Sequence, residues 1–558
     1  MHLAGLIFFL NPHLAFTFGP VLRGSLLYGT LVGLASLALH LPFTWGRPAK
    51  ARRVLAWSLT VSLAAAAVLD WTHAYYYTYY LPPGINDRLI KTALWLTFGA
   101  LITFYTALLH SLHRRRYGWR SRWGMALVAA LSVYAMVERR EAFRPRPVPA
   151  PRPASVESGQ RPKLWVIGVD SATLDAILPL AGQGRLPFLA NALQNGAYGR
   201  LTSFSPSRRD AVWTTLVTGK YPFKHGITGR RPFPADFLAP GAELRLLPNE
   251  ISFRRWGTLG LKRRTELPPR ESLALWEIFP RLGVPSGVVG WPAVKPKEGE
   301  AAFAVAEPFF TGPPEPGTVW PADLEARGRL FRPGTVEMEA ALRGRFGPVV
   351  PDALARAFAG DLWRQSLALS QADQDPRTEV VFLLLPGLRD VSRRWFGGFS
   401  AVQFEGKQGG AARVASDRMA AYYELLDGML SQAWSRGEGR RMLAVVSAYG
   451  VDPQGGWRRV WGRMSPGAAL GGEFLGGPDG VLLLYGEGIR PGALLTGARI
   501  VDVAPTLLYG LGFPVARDLD GQILTAAFDK RFLEANPVTF FPSYEGLARA
   551  AAGAVRSP

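Results

Sequence analysis

Long uncharged runs dominate the first 140 residues of the chain. About 20 apolar residues at ~1.5 Å each cross a hydrocarbon core of roughly 30 Å. The pattern therefore predicts a membrane domain over residues 1–140 with about four transmembrane helices. The four runs are residues 24–45, 54–71 (interrupted only by Asp70), 92–113 and 123–137. The last run is the shortest, and an interfacial or buried helix is the alternative for it.

Residues 1–22 form a separate apolar stretch, uncharged apart from His2 and His13 and interrupted by Pro12. They fit a short amphipathic anchor, a re-entrant segment or a fifth span. They do not fit a cleaved signal peptide, because they have neither a basic start nor a small-residue cleavage site.

The distribution of basic residues predicts the orientation of the spans. The loop at 46–53 carries four Lys or Arg residues and the loop at 114–122 carries five arginines. Such loops face the cytoplasm, so alternation places everything after the fourth span outside. Arg139 and Arg140 follow that span and argue locally for the opposite.

Residues 141–162 hold six prolines. Because proline interrupts both helices and central strands, this segment is predicted to be an extended spacer of ~3 Å per residue. It would connect the membrane domain to a soluble domain over residues 163–558.

The soluble half contains short apolar runs separated by helical patterns. Buried strands that alternate with helices predict an α/β domain whose mostly parallel sheet is covered by helices on both faces. In such folds ligands bind beyond the carboxyl ends of the strands. The runs are residues 163–169, 286–291, 379–385, 442–447 and 480–485.

Composition excludes several kinds of site. The 558 residues include no cysteine, so disulfides, thiolate zinc sites and cysteine nucleophiles are excluded. The net charge is +21, but the densest basic clusters flank the apolar runs. We therefore expect the bilayer as partner and no nucleic acid.

Several sequence motifs follow one another along the soluble half. They include VIGVDSATLDAILPL, WTTLVTGKYPFKHGI, PDGVLLLYGEGIRPGA and ARIVDVAPTLLYGLGFPV. From about residue 163 to 525 the chain resembles the type I phosphodiesterase/nucleotide pyrophosphatase branch of the alkaline phosphatase superfamily. Residues 230–270 and 296–375 match poorly and are interpreted as cap insertions.

The resemblance implies two divalent metals, held by three Asp and three His, and a Ser or Thr nucleophile. Only Asp170 keeps its family identity. The nucleophile position falls on Arg209, nine residues before Thr218, and arginine is not a nucleophile. The remaining ligand positions carry Arg389, Arg393, Ala448, Tyr449 and Gly476. A register shifted by one residue would use Asp390 and Arg394 in place of the two arginines.

A count of histidines supports this interpretation without any alignment. Of seven histidines in the chain, only His225 lies in the soluble half, and it is interpreted as structural. A zinc site of ordinary ligands therefore cannot form there, and no cofactor is expected. An all-oxygen Mg²⁺ or Ca²⁺ site remains possible in principle.

Arginines at former metal positions raise a second hypothesis. Arg209, Arg389 and Arg393 would converge on the old pocket and bind a phosphate-like anion or a lipid headgroup without hydrolysing it. In the alternative, these arginines pair with Asp170, Asp210 and Asp390 and only fill the cavity.

Two functions follow from these patterns. The first is a membrane-anchored, catalytically inactive relative that acts as a binding or scaffold subunit, in contact with other membrane-protein subunits, at the outer face of a bacterial plasma membrane. The second is a phosphodiesterase or phospho-headgroup hydrolase or transferase with a rebuilt site that uses Ser205 or Ser207. Transport by the spans is the weakest interpretation, because they hold few ionisable groups.

Overall fold

The chain divides into two compact units in its structure, a computed structural model. One unit comprises residues 1–145 with 227–268, and the other comprises residues 146–226 with 269–558. The described residues are 2–15, 17–44, 48–113, 116–137, 161–229, 231–247, 267–312, 315–346, 350–407, 409–436, 439–453, 472–474 and 476–547. The predicted spacer lies outside the described residues up to position 160.

The first unit contains a succession of apolar helices. They are α1 (His2–Leu10), α2 (Phe18–Thr44), α3 (Pro48–Tyr76), α4 (Pro83–Leu112) and α5 (Trp119–Val137). Each of the four predicted spans falls on one of α2 to α5. Among the described residues, two segments are long and apolar enough to cross a membrane, Val54–Tyr76 and Pro83–Leu112. The multi-span membrane domain stays a prediction.

Helices α3 and α4 pack through small side chains. Ala66, Ala67 and Ala100 are buried together with Leu63 and Leu96 at this contact. Small residues let two helix backbones approach closely, which is how helices associate where there is no water to drive them together.

Helix α1 is short and enclosed within its unit. Nine residues span only about 14 Å, and residues 11–15 are not helical. This excludes a fifth helical span over residues 1–22. All side chains from Ala4 to Leu10 are buried, and the His2 Nε2 atom lies 3.1 Å from Oδ1 of the fully buried Asp70 on α3.

Residues 227–268 group with these helices rather than with the α/β domain. We predicted residues 230–270 as a cap insertion of a soluble domain that runs unbroken from 163 to 558. The described part, up to residue 247, contains the antiparallel pair Phe233–Pro234 and Glu243–Leu244. Its apolar side chains bury themselves in the first unit.

The second unit is organised around a nine-stranded sheet. Its strands are β1 (Lys163–Val169), β2 (Ala197–Leu201), β3 (Ser286–Val289), β4 (Phe303–Val305), β5 (Val319–Trp320), β6 (Val380–Leu385), β7 (Arg441–Ser447), β8 (Gly480–Gly486) and β9 (Ala493–Leu494). The spatial order is β9-β2-β8-β7-β1-β6-β3-β4-β5. Outside this sheet, Asp452–Pro453 pairs with Gly472–Glu473, and Val515–Ala516 pairs with Phe540–Phe541.

The sheet is mixed, with a parallel centre. The strands from β4 through β3, β6 and β1 to β7 run parallel, whereas β8 is antiparallel to both of its neighbours and β5 is antiparallel to β4. The predicted mostly parallel sheet is correct at this centre. The five predicted strands match within two residues at each end.

Helices of the second unit connect and flank these strands. They are α6 (Leu174–Gly182), α7 (Pro187–Asn195), α8 (Arg209–Thr218), α9 (Pro222–His225), α10 (Leu275–Arg281), α11 (Pro308–Thr311), α12 (Leu324–Leu330), α13 (Thr335–Phe346), α14 (Asp352–Gln374), α15 (Gly387–Gln403), α16 (Gly410–Ser435), α17 (Val503–Gly510) and α18 (Lys530–Ala535), with 3-10 turns at Ile500–Asp502 and Thr525–Ala527.

One edge of the sheet collects the ends of the central strands. In register, Val169 pairs with Leu385, and Gly168 pairs with Val446. The amide of Asp170 donates to the Leu385 carbonyl over 3.0 Å. The residues that follow β1, β6 and β7 therefore lie side by side, which is where a parallel sheet positions a ligand.

Candidate active site

A buried carboxylate ends the central strand of the sheet. Asp170 follows β1 directly and its side chain is fully buried. The next residue, Ser171, has a φ of 73°, in the left-handed region that costs a side-chain-bearing residue free energy. This turn directs the chain away from the sheet immediately after the carboxylate.

The guanidinium of Arg209 occupies the space beside Asp170. Its Nε donates to Asp170 Oδ2 over 2.7 Å, and its Nη1 donates to Glu307 Oε1 at 2.8 Å and Oε2 at 3.0 Å. Asp210 Oδ1 lies 3.8 Å from the same Nη1. Arg209 thus bridges two carboxylates and is close to a third.

Because Arg209 lies at the start of α8, its positive charge has to be compensated by nearby carboxylates. A helix N-terminus has a partial positive charge and favours anions, yet α8 begins with a cation. Burial alone would lower the pKa of Arg209, but the charges of Asp170 and Glu307 outweigh it and hold that pKa well above its ordinary value. Burial raises the pKa of Asp210, against the attraction of Arg209.

Glu307, the second partner of Arg209, was not predicted from the sequence. It follows β4 within AVAEPFF, in a region that we had interpreted as a cap insertion. The sequence does contain a signal for Glu307, because a short apolar run precedes this acidic residue just as β1 precedes Asp170. Such a run is too short to distinguish from a loop by periodicity alone.

Arg389 and Arg393 lie one turn apart near the start of α15. Their guanidinium carbons lie 5.4 and 6.0 Å from the ring centroid of Phe474, a cation–π arrangement. Arg393 is exposed. The Nε of Arg389 is buried without a hydrogen-bond partner among the described residues. Burial lowers the pKa of Arg389, but Tyr449 and Asp170 raise it further than burial lowers it.

The remaining predicted positions follow β7 and precede β8. Ala448 and Tyr449 are buried after β7, and the exposed Gly476 adds no side chain. Burial and the charge of Asp170 raise the pKa of Tyr449 well above its ordinary range. The Tyr449 phenol is therefore neutral near Asp170.

A second buried polar group lies beneath this edge on α14. The Oδ1 of Asp361 accepts from the Gly387 amide over 2.9 Å, and Oδ2 accepts from the Tyr422 hydroxyl over 2.8 Å. Burial raises the pKa of Asp361 to about 7. Arg364, one turn later, has its guanidinium carbon 4.3 Å from the Phe310 ring centroid, and burial lowers its pKa. Neither group was predicted.

The serines of the alternative hypothesis lie before α8. Ser207 is buried, and its hydroxyl donates to the Phe474 carbonyl over 2.5 Å. Ser205 forms the peptide bond that precedes Pro206 in the cis conformation. Ser207 therefore fixes Phe474, the ring that Arg389 and Arg393 cover.

Comparison with known families agrees with this architecture. The sequence profile described as type I phosphodiesterase / nucleotide pyrophosphatase matches residues 164–455, which is more than half of the chain. The chain belongs to this family. The resemblance stated from the sequence motifs is thereby confirmed, and the second unit is a phosphodiesterase-type domain.

Solved structures similar to the phosphodiesterase-type domain include human ectonucleotide pyrophosphatase/phosphodiesterase 5, at 12% identity and a TM-score of 0.38, covering 64% of this chain and 97% of that one. An inactive murine form of the same protein in complex with AMP has 13% identity and a TM-score of 0.33, covering 63% and 95%. Phosphonoacetate hydrolase from Sinorhizobium meliloti 1021 in complex with phosphonoacetate has 14% identity and a TM-score of 0.29, covering 56% and 66%. No curated protein matches the sequence.

The residues of this phosphodiesterase-type domain do not fit the two metals that the family resemblance implies. Asp170 is held by Arg209, and Arg389 stands where an acidic ligand is expected. The described residues contain no group of three or more His, Asp or Glu side chains close enough to hold a metal ion. His225 lies elsewhere, fully buried, with its Nε2 3.0 Å from the Thr215 hydroxyl, and burial lowers its pKa to about 3.

The site geometry separates the three arginines that we predicted to converge. Arg209 pairs with carboxylates, as in the alternative in which the arginines only fill the cavity. Its second partner is Glu307 and not Asp390. Within the described part of the chain, Arg389 and Arg393 form no ion pair, and both guanidinium groups lie over Phe474 instead. The anion hypothesis therefore rests on Arg389 and Arg393 alone.

Proposed function

We propose that this protein is a membrane-anchored, catalytically inactive member of its family that acts as a binding or scaffold subunit at the outer face of the plasma membrane. One observation carries the proposal. Arg209 lies at the start of α8, at the position that the family resemblance assigns to the nucleophile. Its guanidinium hydrogen-bonds to Asp170, the one residue that keeps its identity among the implied metal ligands.

The pairing of Arg209 opposes metal binding in two ways. A metal ion at Asp170 would have to displace a buried guanidinium that is bound over 2.7 Å. It would also bring positive charge next to a cation with a pKa far above neutrality. Asp170 is therefore part of a buried ion-pair network with Arg209 and is not an available ligand.

Exposed apolar side chains on the first unit support the membrane anchor. On α4 they recur at helical spacing and form one continuous face: Leu94, Trp95, Phe98, Leu101, Ile102 and Tyr105. A soluble domain rarely leaves a patch of this size in water. Lipid contact explains it, and the basic loops orient the anchor with the phosphodiesterase-type domain outside.

Arg389 and Arg393 provide the proposed binding function. Two guanidinium groups one turn apart, near a helix N-terminus, form a cationic surface that fits a phosphate-like anion or a lipid headgroup. Phe474 supports both groups from one side. Other membrane-protein subunits are the proposed scaffold partners.

The alternative is a phosphodiesterase or phospho-headgroup transferase with a rebuilt site. It requires a serine nucleophile near Arg209. The Ser207 hydroxyl donates a hydrogen bond to a backbone carbonyl, and it has no adjacent base among the described residues. This observation favours the inactive protein.

The decisive experiment measures metal content and diester hydrolysis on the same preparation. Full-length protein in detergent is analysed by inductively coupled plasma spectrometry and assayed with bis(p-nitrophenyl) phosphate, beside an active family member. We expect no stoichiometric metal and no turnover above buffer. About two metals per chain, with turnover that Asp170→Ala abolishes, would disprove the proposal and support the alternative.

Anion binding is tested separately by the shift in melting temperature with inorganic phosphate. We expect stabilisation of the wild type that Arg389→Ala removes. Arg418→Ala is the matched control, because Arg418 also lies over an aromatic ring, Trp395 at 5.3 Å, on α16. An equal phosphate response in both variants would exclude an anion site at Arg389.

A further inference from the structure

The first residues of the chain are held by a segment that follows more than 200 positions later. Asn11 is fully buried, and both its Nδ2 and its Oδ1 atoms form hydrogen bonds with the backbone of this segment. Its Nδ2 donates to the Leu246 carbonyl over 2.7 Å, and its Oδ1 accepts from the amides of Arg245 at 2.7 Å and Leu246 at 3.0 Å. One amide side chain thus satisfies three backbone groups, as a neighbouring strand would.

Apolar side chains extend this contact along α1. Ala4, Ile7 and Phe8 lie at helical spacing on one face of α1, and they form one buried cluster with the later segment. The members from that segment are Phe233, Ala235, Leu238, Ala242, Leu244 and Leu247. His13 adds a hydrogen bond, with its Nε2 2.8 Å from the Glu243 carbonyl.

The later segment is shaped locally for this role. The pair Phe233–Pro234 and Glu243–Leu244 closes a hairpin-like turn in which Ala235 donates to Ala242 over 2.7 Å. At the turn, Gly241 has a φ of 71°, and its amide donates to Asp236 over 2.9 Å. A compact loop therefore presents both an apolar surface and the backbone groups of Arg245 and Leu246 to the N-terminal segment.

Chain connectivity gives this contact a consequence. Residues 227–268 belong to the first unit, but the chain enters them from Gly226 and leaves them at Pro269, both of which belong to the phosphodiesterase-type domain. That domain is consequently connected to the first unit three times, once through the spacer at 141–162 and twice through the ends of this excursion.

We propose that residues 231–247 are a docking element that binds the chain's own N-terminal segment and keeps the phosphodiesterase-type domain attached to the helical unit independently of the proline-rich spacer. The occupant of the docking surface is α1 with Asn11 and His13. Buried apolar side chains and three hydrogen bonds to one fully buried amide are typical of a permanent contact.

A cysteine-pair experiment tests the position of the docking element at the edge of this contact, where Gly24 of α2 lies against both Leu238 and Ala4 of α1, and the chain has no native cysteine to interfere. A protease site is introduced into the spacer of the full chain, and Gly24→Cys is combined with Leu238→Cys. A Cβ at Gly24 would lie 3.5 Å from Leu238 Cδ2, an ordinary contact. After cleavage under oxidising conditions, we expect one full-length band on a non-reducing gel and two bands after reduction.

Gly33→Cys with Leu238→Cys is the matched control, since a Cβ at Gly33 on the same helix meets no neighbour within 4 Å. This pair should give two bands with or without reductant. Cross-linking of the Gly24 pair that does not exceed the Gly33 pair would overturn the proposal.

A second measurement uses no cysteine. After spacer cleavage the two fragments should co-elute in detergent. Asn11→Ala should shorten the lifetime of their complex by roughly tenfold or more, because it leaves buried amides unpaired. Asn86→Ala, a buried asparagine on α4 outside this contact, is the control. Equal lifetimes for the two variants would show that the docking element does not hold the fragments together.

Discussion

Arg209 and Asp170 form a buried ion pair in which Nε donates to Oδ2 over 2.7 Å. Arg209 has 15% of its side chain exposed and Asp170 has none. Since Glu307 shares the same guanidinium from the end of β4, one side chain connects the ends of two strands that are not neighbours in the sheet. The centre of the site is therefore an element of stability in the phosphodiesterase-type domain.

Removing this guanidinium should be costly. Arg209→Ala leaves Asp170 buried without its cation, and breaking one partner of a buried pair costs roughly 3–5 kcal/mol. We expect a large fall in the unfolding midpoint of the phosphodiesterase-type domain, measured by chemical denaturation with tryptophan fluorescence.

The control for that prediction is Arg200→Ala. Arg200 pairs with Asp175 over 2.6 Å, but both side chains are nearly half exposed, at 46% and 45%. An exposed pair contributes about 0–1 kcal/mol. Equal destabilisation by the two variants would contradict the buried network.

Stability should decrease as the pH rises toward 7, through Asp361. Its pKa is raised from 3.8 to about 7 in the folded protein, so between these values the folded state binds a proton that the unfolded state has lost. Stability from this group is present below about pH 4 and is lost as the pH rises through 7, by an amount on the order of 4 kcal/mol. Asp361→Asn should flatten the profile of denaturation midpoint against pH relative to wild type.

Asp375→Asn should keep the wild-type slope of that profile between pH 5 and 7. Its pKa is lowered by Arg377, so it is already ionised in both states across this range. A slope unchanged in Asp361→Asn would show that Asp361 does not titrate there.

Gly387 should not tolerate a side chain. A Cβ at this position would overlap the Tyr422 hydroxyl and lie 2.5 Å from Asp361 Oδ2 and 2.8 Å from the Ala357 carbonyl. Gly387→Ala should therefore destabilise the domain by roughly 1–3 kcal/mol through overpacking. Gly182→Ala, where a Cβ meets nothing within 4 Å, should be neutral or slightly stabilising; thermal unfolding compares the two.

A charge on the apolar face of α4 should impair membrane insertion. Leu101 is 58% exposed in the middle of the segment Pro83–Leu112, and a lysine at a span centre costs about 2.5–3.5 kcal/mol. Leu101→Lys should reduce the carbonate-resistant fraction in isolated membranes. Leu330→Lys, 84% exposed on α12, should leave it unchanged, and equal fractions for both would argue against lipid contact at Leu101.

The sequence alone was enough to predict the features that depend on local residue patterns. Strands β1, β6, β7 and β8 are long apolar runs, and each was predicted close to its observed bounds. Asp170 and Arg209 were identified through the motifs around them. Strand direction was predicted only in part, because antiparallel β8 has the same buried pattern as a parallel strand.

Partners across long sequence separations could not be predicted. Glu307 is 98 positions from Arg209, and no periodicity or spacing connects the two. The same holds for Asp361, whose partner hydroxyl on Tyr422 is 61 positions away. Residues 231–247 group with the first unit, where their apolar side chains pack against α1, and sequence patterns along the chain do not encode this relationship.

The enclosed position of α1 constrains the order in which the protein can be made. Asn11 and Leu246 are 235 positions apart, so the ribosome releases the N-terminal helix long before it synthesises the segment that covers it. At ~5–20 residues per second, a helix that is apolar from Leu3 to Leu10 would wait for more than ten seconds with one face uncovered. During that interval other apolar surface must shield it, and an N-terminal fusion that occupies this face would be expected to lower the yield of folded protein.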